Sequence, residues 1–205
     1  TEEYDGSSWS AGGNLITIQY SQAFAGVQQA AISAFGGTPG VATTSQIYNG
    51  SSWATTNSGN IARNDTSGMG TANDALAMGG NNGGAVVACS ELWNGTTWST
   101  WVPILTARSY LSATGTTNAG LNFFGGSPSV PNMKCVEEWN GISFVHGCTA
   151  LQDRKGRMGV GSQSAALAAG GYQGSDGSPL TEEYNKDFIS PYTTCVWTSG
   201  GGMIT

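Results

Sequence analysis

The side chains best suited to chemistry recur at fixed intervals. Arginine stands at 63, 108 and 154, with Gln19 one interval earlier, and glutamate pairs stand at Glu2-Glu3, Glu137-Glu138 and Glu182-Glu183. A ring of guanidinium groups lining a mouth, Arg63, Arg108 and Arg154, would bind carboxylate or sulfate groups on a glycan through planar forks of donors. The same recurrence also suits a salt bridge or carbonyl clamp between neighbouring units. The glutamate pairs resemble glycosidase carboxylates, but adjacent residues of a strand point to opposite faces and cannot flank one bond. They read instead as edge charges that contact a neighbouring unit. His146 is the only histidine, and no nucleophile-elbow sequence accompanies it. A Ser-His-Asp triad and an imidazole copper centre therefore both lack their parts. Cys89, Cys135, Cys148 and Cys195 contain no C-x-x-C pair, so a zinc site is not expected. The expectation is a non-enzymatic protein with no catalytic residues, no metal and no cofactor.

These residues must be positioned by a repeated element. The opening Thr1-Glu2-Glu3-Tyr4-Asp5-Gly6-Ser7-Ser8-Trp9 returns in variant form around Tyr48, Trp93, Trp139 and Tyr184, in steps of 44, 45, 46 and 45. Polar-aromatic alternation predicts a strand in each copy, and Asp-Gly or Asn-Gly in four of the five predicts a two-residue type I′ hairpin turn. Asn185-Lys186 stands in the fifth copy, where a longer or strained turn is expected. Trp9, Trp53 and Trp98 open the second strand, with Phe144 and Phe188 in their place later. Between the copies lie pairs of small-residue strands, each ending in Gly-Gly at 36–37, 79–80, 125–126 and 170–171. A period in the forties with an aromatic motif per unit marks a β-propeller, whose crowded inner strands call for Ala, Gly, Ser and Thr.

The double glycine closing a small apolar strand, followed by Glu-Glu-Tyr, a turn and Trp, resembles the kelch repeat over essentially the whole chain. More narrowly, Thr-Glu-Glu-Tyr-Asp-Gly-Ser-Ser-Trp-Ser-Ala-Gly-Gly-Asn-Leu is similar to kelch-like repeats of bacteriophage, notably cyanophage, tail, fibre and other structural proteins, and of bacterial surface proteins. The fourth and fifth copies depart from the pattern, with Phe for Trp and an early fifth Gly-Gly. The continuous repeat argues for a single all-β domain over residues 1–205, and counting its hairpins gives a five-bladed kelch-like propeller. Its ring would close when the tail, Ile189 to Thr205, pairs as a shortened inner hairpin with the N-terminal outer strands. The rival is part of a six- or seven-bladed ring. The expected role is recognition on a virion or cell surface, as in a phage tail or fibre, with a host-surface glycan as partner. An architectural role among other virion or surface proteins is the alternative.

Composition narrows the classes further. Charged residues make up 10% of the chain and the formal charge is −6, with seven Lys and Arg, so no basic stripe can neutralise phosphates and nucleic-acid binding is not expected. No apolar run reaches the ~20 residues of a membrane span, so no membrane insertion is expected. The chain lacks an initiator Met and a signal-like segment, and reads as a processed product or part of something larger. Cys89 and Cys135, and Cys148 and Cys195, lie one repeat apart, a placement expected to exceed bridging distance. A bridge between Cys135 and Cys148 across one hairpin, or four free thiols, are the two readings. Trp9, Trp53 and Trp98 either stack on sugars or pack between units. Specificity is expected in the non-repeating loops, 81–84 and 171–177, the latter carrying Tyr172 and Asp176. The Asn-x-Ser/Thr matches at Asn49, Asn64 and Asn94 are explained for the first and last by turn chemistry.

Overall fold

The computed structural model describes residues 1–37, 39–156, 158–174, 176–187 and 194–203, and among these all regular structure is antiparallel strand. A lone hairpin, β1 (Glu2–Tyr4) and β2 (Trp9–Ala11), comes first. The first four-stranded sheet is the meander β3 (Ala23–Val27), β4 (Ala30–Ala34), β5 (Ser45–Tyr48) and β6 (Trp53–Thr56). The second is β7 (Ser67–Gly70), β8 (Ala75–Met78), β9 (Ser90–Trp93) and β10 (Trp98–Trp101). The third is β11 (Ser112–Gly115), β12 (Gly120–Phe123), β13 (Val136–Trp139) and β14 (Phe144–His146). The fourth is formed by β15 (Met158–Gly161), β16 (Ala165–Ala169), β19 (Thr181–Asp187) and β20 (Thr194–Ser199). A small hairpin, β17 (Tyr172–Gln173) and β18 (Asp176–Gly177), interrupts it.

Strand alternation gives every sheet two unlike faces, and unlike faces meet. Ala23, Ala25, Ile32 and Ala34 of the first sheet pack on Ala75, Ala77, Trp93 and Trp98 of the second. Met69, Leu76 and Met78 of the second meet Ala113, Trp139 and Phe144 of the third. Leu121, Phe123 and Val136 of the third meet Ala166, Ala168, Tyr184 and Trp197 of the fourth. The leading strands β3, β7, β11 and β15 run side by side in that order. Small residues there are a steric requirement: a Cβ on Gly68 would lie 2.7 Å from the Phe24 carbonyl oxygen of the preceding sheet. The aromatic pairs that face one another across β5–β6, β9–β10, β13–β14 and β19–β20 fill the outer part of each interface, and their indole nitrogens are satisfied by neighbours. Trp98 donates to Ser45 Oγ at 3.0 Å and Trp197 to the Cys148 carbonyl at 3.0 Å.

Several sequence expectations are corrected. The ring is not closed by the tail. β20 pairs with β19 and completes the fourth sheet, leaving β1–β2 two-stranded. Trp197 lies opposite Tyr184, as Trp53 does opposite Tyr48, so the fifth copy of the motif keeps its tryptophan nine residues beyond Phe188, which lies outside the described residues. No turn occurs at Asn185-Lys186, because β19 runs on to Asp187. The other four hairpins have four-residue loops and not two-residue type I′ turns. In each, the Asp or Asn side chain accepts two backbone N–H groups, as Asn94 does from Thr96 and Thr97, and only the glycine, such as Gly95 at φ 90°, takes the left-handed conformation. Cys148 and Cys195 form a disulfide with Cα atoms 5.7 Å apart, while Cys135 and Cys89 are free thiols. A spacing of one repeat is bridgeable here because Cys148 has left β14 and lies in the connection that packs against β20.

Candidate functional site

The three recurring arginines do not line a mouth; each is 0% exposed. Each leaves the connection into a sheet and reaches the buried glutamate of that sheet's third strand: Arg63 to Glu91, Arg108 to Glu137 at 2.6 Å, and Arg154 to Glu182. The guanidinium also donates to backbone carbonyls, those of Ile61 and Ala77 for Arg63, of Asn122 for Arg108, and of Gly170 and Leu180 for Arg154. The carboxylate accepts two backbone N–H groups of the incoming connection, for example Leu105 at 2.9 Å and Thr106 at 3.0 Å on Glu137. The arginine's own backbone is bound to the preceding sheet: the Arg63, Arg108 and Arg154 carbonyls accept from Gly36, Gly80 and Gly125. Each clamp therefore ties three segments together, and the alternative weighed in the sequence, a structural clamp, describes these arginines. In the first sheet the same place holds a neutral pair. Gln46 donates to Gln19 at 2.6 Å and accepts from the N–H groups of Ile16 and Thr17. The partner glutamates are thus buried rather than edge charges, whereas Glu138, on the opposite face, accepts from Tyr184 at 2.8 Å and pairs with Lys186 of the next sheet.

The residue two positions beyond each clamp side chain is left-handed: Ser21, Asp65, Tyr110 and Gly156 at φ 54°, 54°, 55° and 64°. Backbone bonds join them in series, with Thr66 N–H donating to Ser21, Tyr110 N–H to Asp65 at 3.0 Å, and Gly156 N–H to Tyr110 at 2.9 Å. A tyrosine at positive φ is uncommon and held there only by its surroundings. Tyr110 borders a cleft of about 320 Å³ at this end of the sheets, lined also by Asn81, Ser109, Pro128, Pro131 and Lys155. The Lys155 ammonium lies 5.8 Å from the Tyr110 ring centre. Burial first, and Asp65 second, push the Tyr110 phenol above its usual range, so it stays a neutral donor at physiological pH. The sequence had singled out Tyr172 and Asp176 at this end. Tyr172 exchanges backbone hydrogen bonds with Lys155 and is 52% exposed, and Asp176 lies opposite Gln173 in the small β17–β18 hairpin. Tyr110 and Lys155 were missed: Tyr110 stands two positions beyond Arg108 and Lys155 one beyond Arg154, and no residue type shared between the copies marks either position.

A second concavity lies at the other end of the series. Between the β1–β2 hairpin and β3 runs a mainly apolar groove of about 610 Å³, lined by Glu2, Trp9, Phe24, Ala31, Tyr48 and Trp53 among others. The packing role of the recurring tryptophans holds for Trp53 and Trp98, which are 5% and 7% exposed. Trp9 is 68% exposed, because among the described residues no sheet lies against its face. His146 is exposed on the edge strand β14 and lines neither concavity. Among the described residues no three His, Cys, Asp or Glu side chains converge as a metal site requires. No protein-family model and no curated protein matches the chain.

Proposed function

We propose that the chain is a kelch-like β-propeller module, and that it serves non-enzymatic recognition on a virion or cell surface, of the phage tail or fibre kind, with a glycan as ligand. The observation that carries this reading is the loop-end cleft, where Tyr110 and Lys155 meet hydroxyl and amide groups and Tyr172 stands exposed beside them. An aromatic face, an ammonium and neutral polar groups are the combination that stacks on a sugar ring and pairs an acidic substituent. Burying all three arginines leaves Lys155 as the cation of this cleft, so acidic glycans bind here through one charge and not through a ring of guanidinium groups. Four-stranded sheets in series, meeting unlike face to unlike face, support the propeller part of the reading, with repeated Gly-Gly connections gathered at one end. Weak sites on neighbouring copies gain affinity when presented together.

The test is a broad glycan array that includes bacterial polysaccharides, read with the native protein and with Lys155→Ala and Tyr110→Ala. Specific binding that falls at least tenfold in both variants, with the folded state retained, supports the reading. Silence of the native protein, or binding indifferent to both changes, refutes it.

A second reading, an architectural or decorating role among neighbouring proteins, is favoured by the fourth sheet. Val160, Leu167, Glu183 and Thr198 stand in one line across it, all exposed, with Val196 50% exposed on the same face. The equivalent line in the third sheet, Thr114, Leu121 and Glu138, is covered by the sheet that follows.

A further inference from the structure

Four turns set an exposed asparagine directly before a glycine: Asn49-Gly50, Asn82-Gly83, Asn94-Gly95 and Asn140-Gly141. In all four the asparagine Oδ1 accepts the backbone N–H groups two and three residues on. The donors are Ser51 and Ser52 at 3.1 and 3.0 Å, and Gly84 and Ala85 at 3.1 and 2.9 Å. Thr96 and Thr97 follow at 2.9 and 2.8 Å, and Ile142 and Ser143 at 2.9 Å each. One contact separates the second turn from the rest. Gly83 N–H donates to Asn81 Oδ1 at 2.8 Å, whereas among the described residues the N–H groups of Gly50, Gly95 and Gly141 have no acceptor. The first copy of the motif carries aspartate in the same frame: Asp5 Oδ1 accepts Ser7 and Ser8 N–H, both at 2.8 Å, ahead of Gly6.

We propose that Asn49, Asn94 and Asn140 are self-modification sites, at which the folded turn converts asparagine to ordinary aspartate, while Asn82 is protected by Asn81. Hydroxide removes the free glycine N–H proton, and the nitrogen attacks the asparagine Cγ, forming a five-membered imide. The negative charge that develops on Oδ1 is held by its two backbone N–H donors, as an oxyanion hole holds one. The intermediate collapses by breaking the Cγ–Nδ2 bond, and the amide nitrogen takes a proton and leaves as ammonia. Water then opens the imide. Polarisation by the same two N–H groups directs it to Cγ, so the Cγ–N bond breaks, the glycine nitrogen regains its proton and the original backbone returns. Attack at the other carbonyl would leave isoaspartate, with an extra backbone carbon inside loops whose ends are pinned by Tyr48 opposite Trp53, Trp93 opposite Trp98 and Trp139 opposite Phe144. Asp5 represents the end state, because a carboxylate kept ionised by these donors is a poor electrophile and does not cyclise again. The proposal is independent of any ligand at the loop end.

The test is a time course of the intact protein in mildly alkaline, isotope-labelled water, with a urea-unfolded sample in parallel. Peptide mapping by mass spectrometry, with fragmentation that separates aspartate from isoaspartate, reads each site. In the folded protein Asn49, Asn94 and Asn140 should each lose the amide, take one oxygen from water and give mainly aspartate. Asn82 should convert about tenfold more slowly, since one hydrogen bond must break before its glycine nitrogen can attack. In urea all four should convert alike, with isoaspartate as the main product. Asn81→Ala frees the Gly83 N–H and should bring Asn82 up to the rate of the other three. The proposal is overturned by amides that stay intact at the three sites while the unfolded chain converts, by isoaspartate as the main product of the folded protein, or by an Asn82 that keeps pace with the rest.

Discussion

Replacing Arg108 by Gln tests the clamp directly. The change leaves Glu137 buried, with two backbone donors but no cation, since it is 0% exposed and its pairing with Arg108 is its only ion pair among the described residues. Removing one partner of a buried pair costs about 3–5 kcal/mol, because the remaining charge stays out of water uncompensated. Glu137→Gln strands the guanidinium and falls in the same range. The double change Arg108→Gln with Glu137→Gln instead recreates the pair that the first sheet already uses, in which Gln46 keeps both backbone N–H acceptances and donates to Gln19. It should cost less than about 2 kcal/mol, and residues sharing a network of this kind couple by up to ~3 kcal/mol. In urea unfolding followed by tryptophan fluorescence, with a slope of about 2 kcal/mol per molar, each single change should lower the midpoint by roughly 2 M and the double change by under about 1 M. A double variant as destabilised as the sum of the singles would refute the argument, since the neutral pair would then not be an equivalent solution.

Three further outcomes follow from other parts of the molecule. Replacing Cys148 and Cys195 by Ser opens a closed loop with a sequence separation of 47, which should cost about 4 kcal/mol by loop entropy and be measurable as a lower urea midpoint. Gly68→Ala pushes a methyl toward the Phe24 carbonyl oxygen and should cost roughly 1–3 kcal/mol, while Gly201→Ala, with nothing within 4 Å, should stay within about 0.5 kcal/mol in the same melts. The backbone N–H groups of Ser8 and Ser7 hold the Asp5 carboxyl well below the usual carboxylate range. A depressed folded-state value means that the turn is stabilised above the ordinary carboxylate value and loses this as pH falls toward the folded one. NMR titration should accordingly find Asp5 still ionised at about pH 3, and its Ser7 and Ser8 amide shifts should move only in stronger acid.

The period was legible because each copy repeats what its strands must do: a buried aromatic, a polar turn, then small residues where sheets crowd. Gly68 and the Trp98 contact with Ser45 are direct products of that demand. The clamp was legible only as a recurrence. Arg63 and Glu91 are 28 residues apart, and nothing in their spacing says whether the guanidinium faces solvent or a carboxylate. Comparing copies would have helped, since Gln19 and Gln46 change together in the first repeat, which is what a paired interaction requires. Closure was misread because the tail contains an aromatic, Trp197, that fits an outer strand as well as an inner one, and only pairing with β19 decides between them. The disulfide was misread because one repeat was treated as one fixed distance, although a connection can pass closer to the next sheet than a strand does. Tyr110 and Lys155 gave no local pattern at all; Tyr110 is placed by a left-handed backbone that the sequence does not mark, and Lys155 by backbone bonds exchanged with Tyr172.

Face-to-face packing in series also dictates how the molecule comes apart. Each sheet exchanges its burial only with the sheets beside it, so stability behaves as a chain of nearest-neighbour couplings, with no single cooperative centre. The second and third sheets are flanked on both sides and should hold their amide protons longest, whereas among the described residues the fourth has one neighbour and the opening hairpin rests on the first sheet alone. Unzipping from the two ends, slowed at one of them by the Cys148–Cys195 bond, is the order of events that this arrangement sets.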